Sequence, residues 1–431
     1  MNPSDFPAGM RGVPTQHAGL TLIELMVSIT IGIVLSLGLV SLMVNASRSL
    51  RAHDDSAQMQ DNATTAMRSI IDDLRLGGFY GIGANSLDVD NLNSTYSNLS
   101  VFTSDVSNDC TATVVTTRAW VFDLQSPIEY LGPQLTAPSK YPCISAANFQ
   151  SGNPVLIVRG ALNGESYLST SGTGLAARLT NLKTQLSALS GFSTRVFIQS
   201  VTSEDPQTLL FKGSQFDNLA AANKIKTMLA SDNSSTPAPV FEYQTHLYQV
   251  APCSRMTGSD CSQSSDRRAI PTLFRWELQP GTNGPQFVAV PLAEGVERFS
   301  VMFGVDGVTF NADGTIAAPP WSSTPDGIVD RFVAPTDATI PPEFWARVIA
   351  VRVAVLVRSP SIQTYSDAGR SYDLDDDGTA DFTCSASAEG GTQCNYLRRV
   401  FTQVAMLRNC SGRGGFQGGT AGSTPSVNSA C

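Results

Sequence analysis

The sequence predicts an α+β protein: a long N-terminal helix packed on a β-rich body, with an inserted helical subregion. Three observations carry this. Leu20 to Leu76 contains no proline and changes from wholly apolar to amphipathic along its length. From Gly78 onward, short β-branched or alternating runs recur, separated by Gly-, Ser-, Asn- and Pro-rich stretches. Between them lie two helical patterns, Gly174–Leu189 and about Asn218–Ala230. The chain has 431 residues, of which 42% are apolar and only 15% charged, so it can build a core and is no charge-rich disordered chain.

The N-terminal elements come first. Residues 1–19 form a short polar leader ending His17-Ala18-Gly19. Leu20–Val44 follows, an apolar run whose only charge is Glu24. At 1.5 Å per residue it spans about 37 Å, enough to cross a bilayer. No small-residue cleavage site follows the run, so the apolar helix is expected to stay in the mature protein. A carboxylate inside such a span costs roughly 2.5–3.5 kcal/mol and calls for a partner, unless it snorkels at the membrane edge. Residues 45–77 read as an amphipathic stem. Met59, Ala63, Met67, Ile70 and Leu74 make its stripe, and Gly77-Gly78 end it.

The body, residues 78–431, is expected to hold strands at Thr113–Phe122, Val155–Arg159, Arg195–Val201, Thr208–Phe211, Phe241–Val250, Leu273–Leu278, Phe287–Pro291, Arg298–Phe303, Val348–Arg358 and Val400–Leu407. Residues of about 160–270 read as an insertion, and 411–429 as a Gly/Ser-rich tail.

Composition narrows the chemistry. There are 28 Lys and Arg against 37 Asp and Glu, a net charge of −9 with no basic run, which excludes a phosphate-backbone binder. The chain lacks G-x-S-x-G, H-E-x-x-H and Walker A sequences, and no catalytic residue is assigned. Its three histidines are His17 in the leader, His53 on the stem and His246 in a strand. All eight cysteines (110, 143, 253, 261, 384, 394, 410 and 431) lie in the body, without a C-x-x-C pair. That favours four disulfides in an oxidising compartment over a zinc site. Of the 105 pairings possible, the expected one is sequential: 110–143, 253–261, 384–394 and 410–431.

One loop has metal-ligand spacing. Asp373, Asp375, Asp377 and Asp381 occupy positions 1, 3, 5 and 9, Gly378 supplies the turn, and Thr379 offers a carbonyl at position 7. Ca²⁺ takes such oxygen ligands, and five clustered acids repel one another without a cation. Position 12 is Cys384 rather than Glu, so the loop is no EF-hand. The same residues also make an ordinary solvated acidic turn. Pro325–Asp330 reads as a turn only.

Gly19 followed by Leu20-Thr21-Leu22-Ile23-Glu24-Leu25 resembles the class III signal of type IV prepilins and pseudopilins. The resemblance implies cleavage between Gly19 and Leu20 by a prepilin peptidase, N-methylation of Leu20, and Glu24 as the carboxylate that pairs with an N-terminal amine during assembly. Leu20 stands where the family more often has Phe. Further pieces resemble the minor pilins of the PilW type: Asp72–Gly81, Pro154–Gly160, Leu292–Phe299, Phe303–Asp306, Ala350–Arg358 and Arg398–Thr402 with Leu407-Arg408-Asn409. The resemblance implies a type IV pilin-like fold and a non-enzymatic protein that primes pilus assembly at the tip. Its implied partners are other minor pilins, the major pilin and a tip adhesin. It would sit in the bacterial inner membrane with its body in the periplasm, and at the pilus tip after assembly. A type II secretion pseudopilin and a membrane-tethered periplasmic enzyme or binding module are the alternatives.

Overall fold

The computed structural model describes residues 21–81, 114–115, 118–124, 127–141, 143–201, 208–228, 236–256, 261, 270–282, 284–312, 314–321, 324–334, 344, 347–362, 366–385 and 394–407. The chain divides into two units, 1–56 and 57–431. One helix, α1 (Leu22–Leu76), contributes to both.

In the first unit α1 is apolar from Leu22 to Val44 and exposed on every side up to Asp54. Among the described residues it is the one helix long and apolar enough to cross a membrane. Its first turn is capped: the Glu24 amide donates to Thr21 Oγ1 at 3.2 Å.

In the second unit α1 has its predicted stripe. Met59, Ala63, Ala66, Met67, Ile70, Ile71 and Leu74 are buried in one core with two antiparallel sheets. The helix ends at Gly77-Gly78, where Gly78 takes φ 76°. A Cβ on Gly77 would lie 3.1 Å from both Ile128 and Val158, so a larger residue there would push those two side chains back by a few tenths of an ångström. The exit is then tied to the sheet, with the Gly78 amide on the Arg159 carbonyl at 2.9 Å.

The strands in chain order are β1 (Val114–Val115), β2 (Arg118–Ala119), β3 (Ile128–Gln134), β4 (Asn153–Gly160), β5 (Ser166–Tyr167), β6 (Val196–Ser200), β7 (Thr208–Lys212), β8 (Val240–Glu242), β9 (Gln244–Ala251), β10 (Thr272–Pro280), β11 (Pro285–Glu294), β12 (Val296–Val305), β13 (Arg331–Val333), β14 (Val348–Arg358), β15 (Ser371–Tyr372), β16 (Phe382–Thr383) and β17 (Arg398–Met406). The first large sheet has the order β11-β10-β9-β4-β3 and the second β13-β12-β14-β17. Strand β4 is buried on both faces: Leu156 and Val158 face the α1 core, while Val155 and Ile157 join Trp120, Tyr141 and Trp276 behind the sheet. Its unbroken apolar run Pro154–Val158 is what two covered faces require.

Between β4 and β9 the chain forms a third sheet, β5-β8-β6-β7. The helices Gly174–Ser187 and Phe216–Ala221 pack on it around Leu182, Leu186, Phe197, Phe211 and Phe216.

Three local expectations are corrected. The run Thr113–Phe122 is not one strand: Trp120–Phe122 is a 3₁₀ turn. All three of its side chains are buried, which a one-sided strand cannot achieve. Its carbonyls go to side chains, Trp120 O to Arg159 Nε at 2.8 Å and Val121 O to Tyr243 Oη and Thr245 Oγ1 at 2.8 and 2.7 Å. The helix expected over Asn218–Ala230 stops at Ala221, because Asn223 takes φ 53° and the Lys226 amide bonds Gln199 Oε1 at 2.8 Å. The run Phe241–Val250 splits at Glu242/Gln244, where β8 and β9 enter different sheets.

Candidate functional site

Two regions carry the candidate residues. The first is the start of α1. Gly19 and Leu20 lie outside the described residues. Glu24 is exposed in the first helical turn among exposed Leu22, Ile23, Leu25 and Met26. Among the described residues nothing pairs with its carboxylate; its carbonyl accepts Ser28 Oγ at 2.6 Å. The arrangement presents one acid on an apolar helix, which suits pairing with a cationic group in a water-poor setting.

The second is the loop between β15 and β16. Carboxylate oxygens of Asp373, Asp375 and Asp377 lie within 4.8 Å of one another. The loop folds by side chain to backbone bonds. Asp373 accepts the amides of Asp376 and Gly378 at 2.7 and 3.0 Å, and Asp377 accepts the Thr379 amide at 2.6 Å. Asp381 stands slightly apart and accepts the Leu374 amide at 2.6 Å. Asp376 and Gly378 take φ 58° and 86°, the left-handed conformations that Asp and Gly tolerate best. Partial burial, then the charges of Asp381 and Asp377, pushes the Asp375 carboxyl up to about 6. Burial also raises Asp381, with Asp373 and Asp377 adding to it. Burial nudges Asp373 upward too, but the Gly378 and Asp376 amides outweigh it and hold that carboxyl below the ordinary range. From β14, Arg352 reaches the loop, pairing with Asp376 at 2.6 Å and donating to the Asp375 carbonyl.

The base of this loop is fixed by groups that sequence reading passed over. Arg398, almost fully buried, forks onto Asp367 at 2.8 and 2.9 Å and onto Glu297 at 2.5 and 3.0 Å. Arg358 adds a third contact, 3.4 Å from Glu297. Tyr372 donates to Asp367 at 3.0 Å. Cys384 and Cys394 form a disulfide beside Asp367, whose amide donates to the Cys394 carbonyl at 2.8 Å. Both sulfurs are bonded, so Asp367, Cys384 and Cys394 offer no thiolate for a metal. The one available clue was the Arg398-Arg399 pair at the head of an apolar strand, since an arginine on a buried face needs acids opposite it.

Cys253 and Cys261 form a second disulfide, and Cys143 is also disulfide-bonded. Cys110, Cys410 and Cys431 lie outside the described residues, and so do the expected pairings through them.

His246 is a β9 side chain, as expected, and has a partner the sequence did not disclose. Its Nδ1 lies 2.5 Å from Asp73 Oδ2, and Tyr248 Oη donates to the same oxygen. The signal was Asp73 itself, an acid beside Leu74 and three residues beyond Ile70, on the buried side of the stem.

Residues 260–409 match the family model of the type IV pilus-assembly protein W. No curated protein matches the chain. Among solved structures, a type IV-like pilin from Thermus thermophilus is similar over 56% of this chain and 100% of that chain, at 11% identity and a TM-score of 0.17. The matched stretch runs from β10 through β17 and so takes in the second sheet, the acidic loop and the Arg398 cluster. On that match the C-terminal part of the body, residues 260–409, is similar to the type IV pilus-assembly protein W family.

Proposed function

We propose that this chain is a minor pilin that primes type IV pilus assembly and sits at or near the tip with other minor pilins and a tip adhesin. A prepilin peptidase cuts between Gly19 and Leu20 and methylates Leu20. The helix from Leu20 to Val44 holds the protein in the inner membrane and then in the fibre. Glu24 pairs with the N-terminal amine of a neighbouring subunit. The observation that carries this reading is the exposed apolar run with a single acid five residues after Gly19, on the same chain as a stretch, residues 260–409, that matches the family model of the type IV pilus-assembly protein W. It supports an assembly subunit with no chemistry of its own. The test is mass spectrometry of the N-terminal peptide from sheared fibres and from membranes. A peptide beginning at N-methyl-Leu20, scarce in fibres, is the expected result. Methyl-Leu20 confined to membranes favours a pseudopilin, and an intact leader overturns the reading.

The acidic loop is proposed as a Ca²⁺ site held by Asp373, Asp375, Asp377, Asp381 and the Thr379 carbonyl. The convergence of three carboxylates supports it, because a hard divalent ion prefers such oxygens and relieves their repulsion. The ion would be structural, bracing the loop between β15 and β16.

A further inference from the structure

The two large sheets have four edge strands, and three are blunted. In β3, Gly132-Pro133 interrupts the ladder between Leu131 and Gln134. Strand β11 carries Pro285 and Pro291 and a register shift opposite Leu273/Phe274. Strand β13 has three residues. These are the usual devices that stop an edge from pairing with another chain. Strand β17 has none of them. Its nine residues hold one uninterrupted register with β14 and include neither proline nor glycine.

The register shows which groups the edge presents. The Leu407 amide donates to Ile349 O at 2.9 Å, and these two residues continue the Met406↔Ala350 register. In an antiparallel ladder hydrogen-bonded pairs alternate, so residues 399, 401, 403 and 405 bond to β14. Val400, Thr402, Val404 and Met406 therefore aim their N–H and C=O groups away from the sheet, and no described strand pairs with them. The side chains on the same stretch are also uncovered at one end: Val404 is 54% exposed and Met406 48%. At the other end Arg399 is exposed and forms no ion pair among the described residues.

We propose that the outer edge of β17 receives an extended segment of a partner protein as an added strand. The partner supplies backbone groups to residues 400–406, apolar side chains at alternate positions over Val404 and Met406, and a carboxylate opposite Arg399. Charge selects this occupant. Neither β17 nor residues 408–431 contain an Asp or Glu, so a second copy's β17 and the chain's own tail both lack the carboxylate.

The test uses the full chain in its own membrane, with Met406 replaced by the photoreactive p-benzoylphenylalanine. Cross-linked peptides are identified by mass spectrometry. The expected product joins position 406 to one Asp- or Glu-containing segment of another polypeptide. Val404→Pro removes one outward N–H without touching the β14 ladder and should cut the yield at least about tenfold, while Val404→Ile leaves it unchanged. Arg399→Glu, an exposed change that spares the fold, should cut the yield likewise. A product with a second copy of β17 or with residues 408–431 overturns the proposal. So does a yield indifferent to both Val404→Pro and Arg399→Glu, or no product at all.

Discussion

Asp73 and His246 meet in the buried seam between the stem and the first sheet, Oδ2 to Nδ1 at 2.5 Å, although 173 residues separate them in sequence. Tyr248 donates to the same Asp73 oxygen, and Arg275 approaches it to 4.0 Å. Three strand side chains thus converge on one helix carboxylate. This polar anchor sits among apolar contacts that are individually tolerant of sliding, so it sets the axial register of α1 on β9 and β10.

Asp73→Ala should therefore cost more than its size suggests. It leaves His246, Tyr248 and Arg275 without their shared acceptor, and breaking a buried pair of this kind costs about 3–5 kcal/mol. Urea unfolding of the purified chain measures it. A loss below about 1 kcal/mol would mean the anchor is dispensable.

Glu129 sets an acid limit to stability. Burial works upward on its carboxyl, but Arg159 and Lys140 outweigh it and hold it at about 2, against an ordinary 4.5. A folded value below the unfolded one adds stability above about pH 4.5 and loses it as the pH falls toward 2. The contribution at neutral pH is about 3 kcal/mol. In Glu129→Gln the thermal midpoint should be lower at pH 7, and the gap to the unmodified protein should close between pH 4.5 and 2.

Asp375 has the opposite sign. Its folded value near 6 lies above the ordinary carboxylate range, so without metal the loop loses stability as the pH rises from about 4 to 6. Calcium should reverse that loss. At about 10 mM Ca²⁺, ten- to hundredfold above a weak extracellular dissociation constant, the gain is about 1–3 kcal/mol. Asp375→Asn should abolish the calcium-induced rise in thermal midpoint without lowering the metal-free midpoint. A rise unchanged in Asp375→Asn would rule out the loop as the site.

Glu24→Ala should leave membrane insertion intact, since it removes the one charge in the apolar run. Incorporation into fibres should fall at least about tenfold, the equivalent of one lost charge pair. Quantitative blotting of membrane and sheared fractions reads both. Normal incorporation would remove Glu24 from the assembly step.

Much of the architecture was legible because it rests on patterning. An apolar stretch without proline, a stripe at spacings of three and four, and a terminal Gly-Gly specify α1 whatever surrounds it. Strand β14 and helix Gly174–Ser187 likewise follow from local periodicity. The errors fell where neighbours overrule local preference. Trp120–Phe122 reads as strand but turns, because three large side chains are all drawn into the core behind the first sheet. Strand β3 was missed because Gly132-Pro133 looks like a loop, yet an edge tolerates both.

The candidate site divides in the same way. The acids of the loop lie within eight residues of one another, so their spacing alone brings Asp373, Asp375 and Asp377 together. By itself the sequence determined the long helix with one acid in its apolar run, the β-rich body and the clustering of the loop's carboxylates, all consequences of short-range periodicity and composition. Only the tertiary structure decided the Asp73–His246 anchor, the Arg398 fork between Glu297 and Asp367, and which strand edge stays open. These depend on which distant segments share a buried boundary, where an unpaired charge or backbone group costs most, and a linear pattern does not carry that pairing.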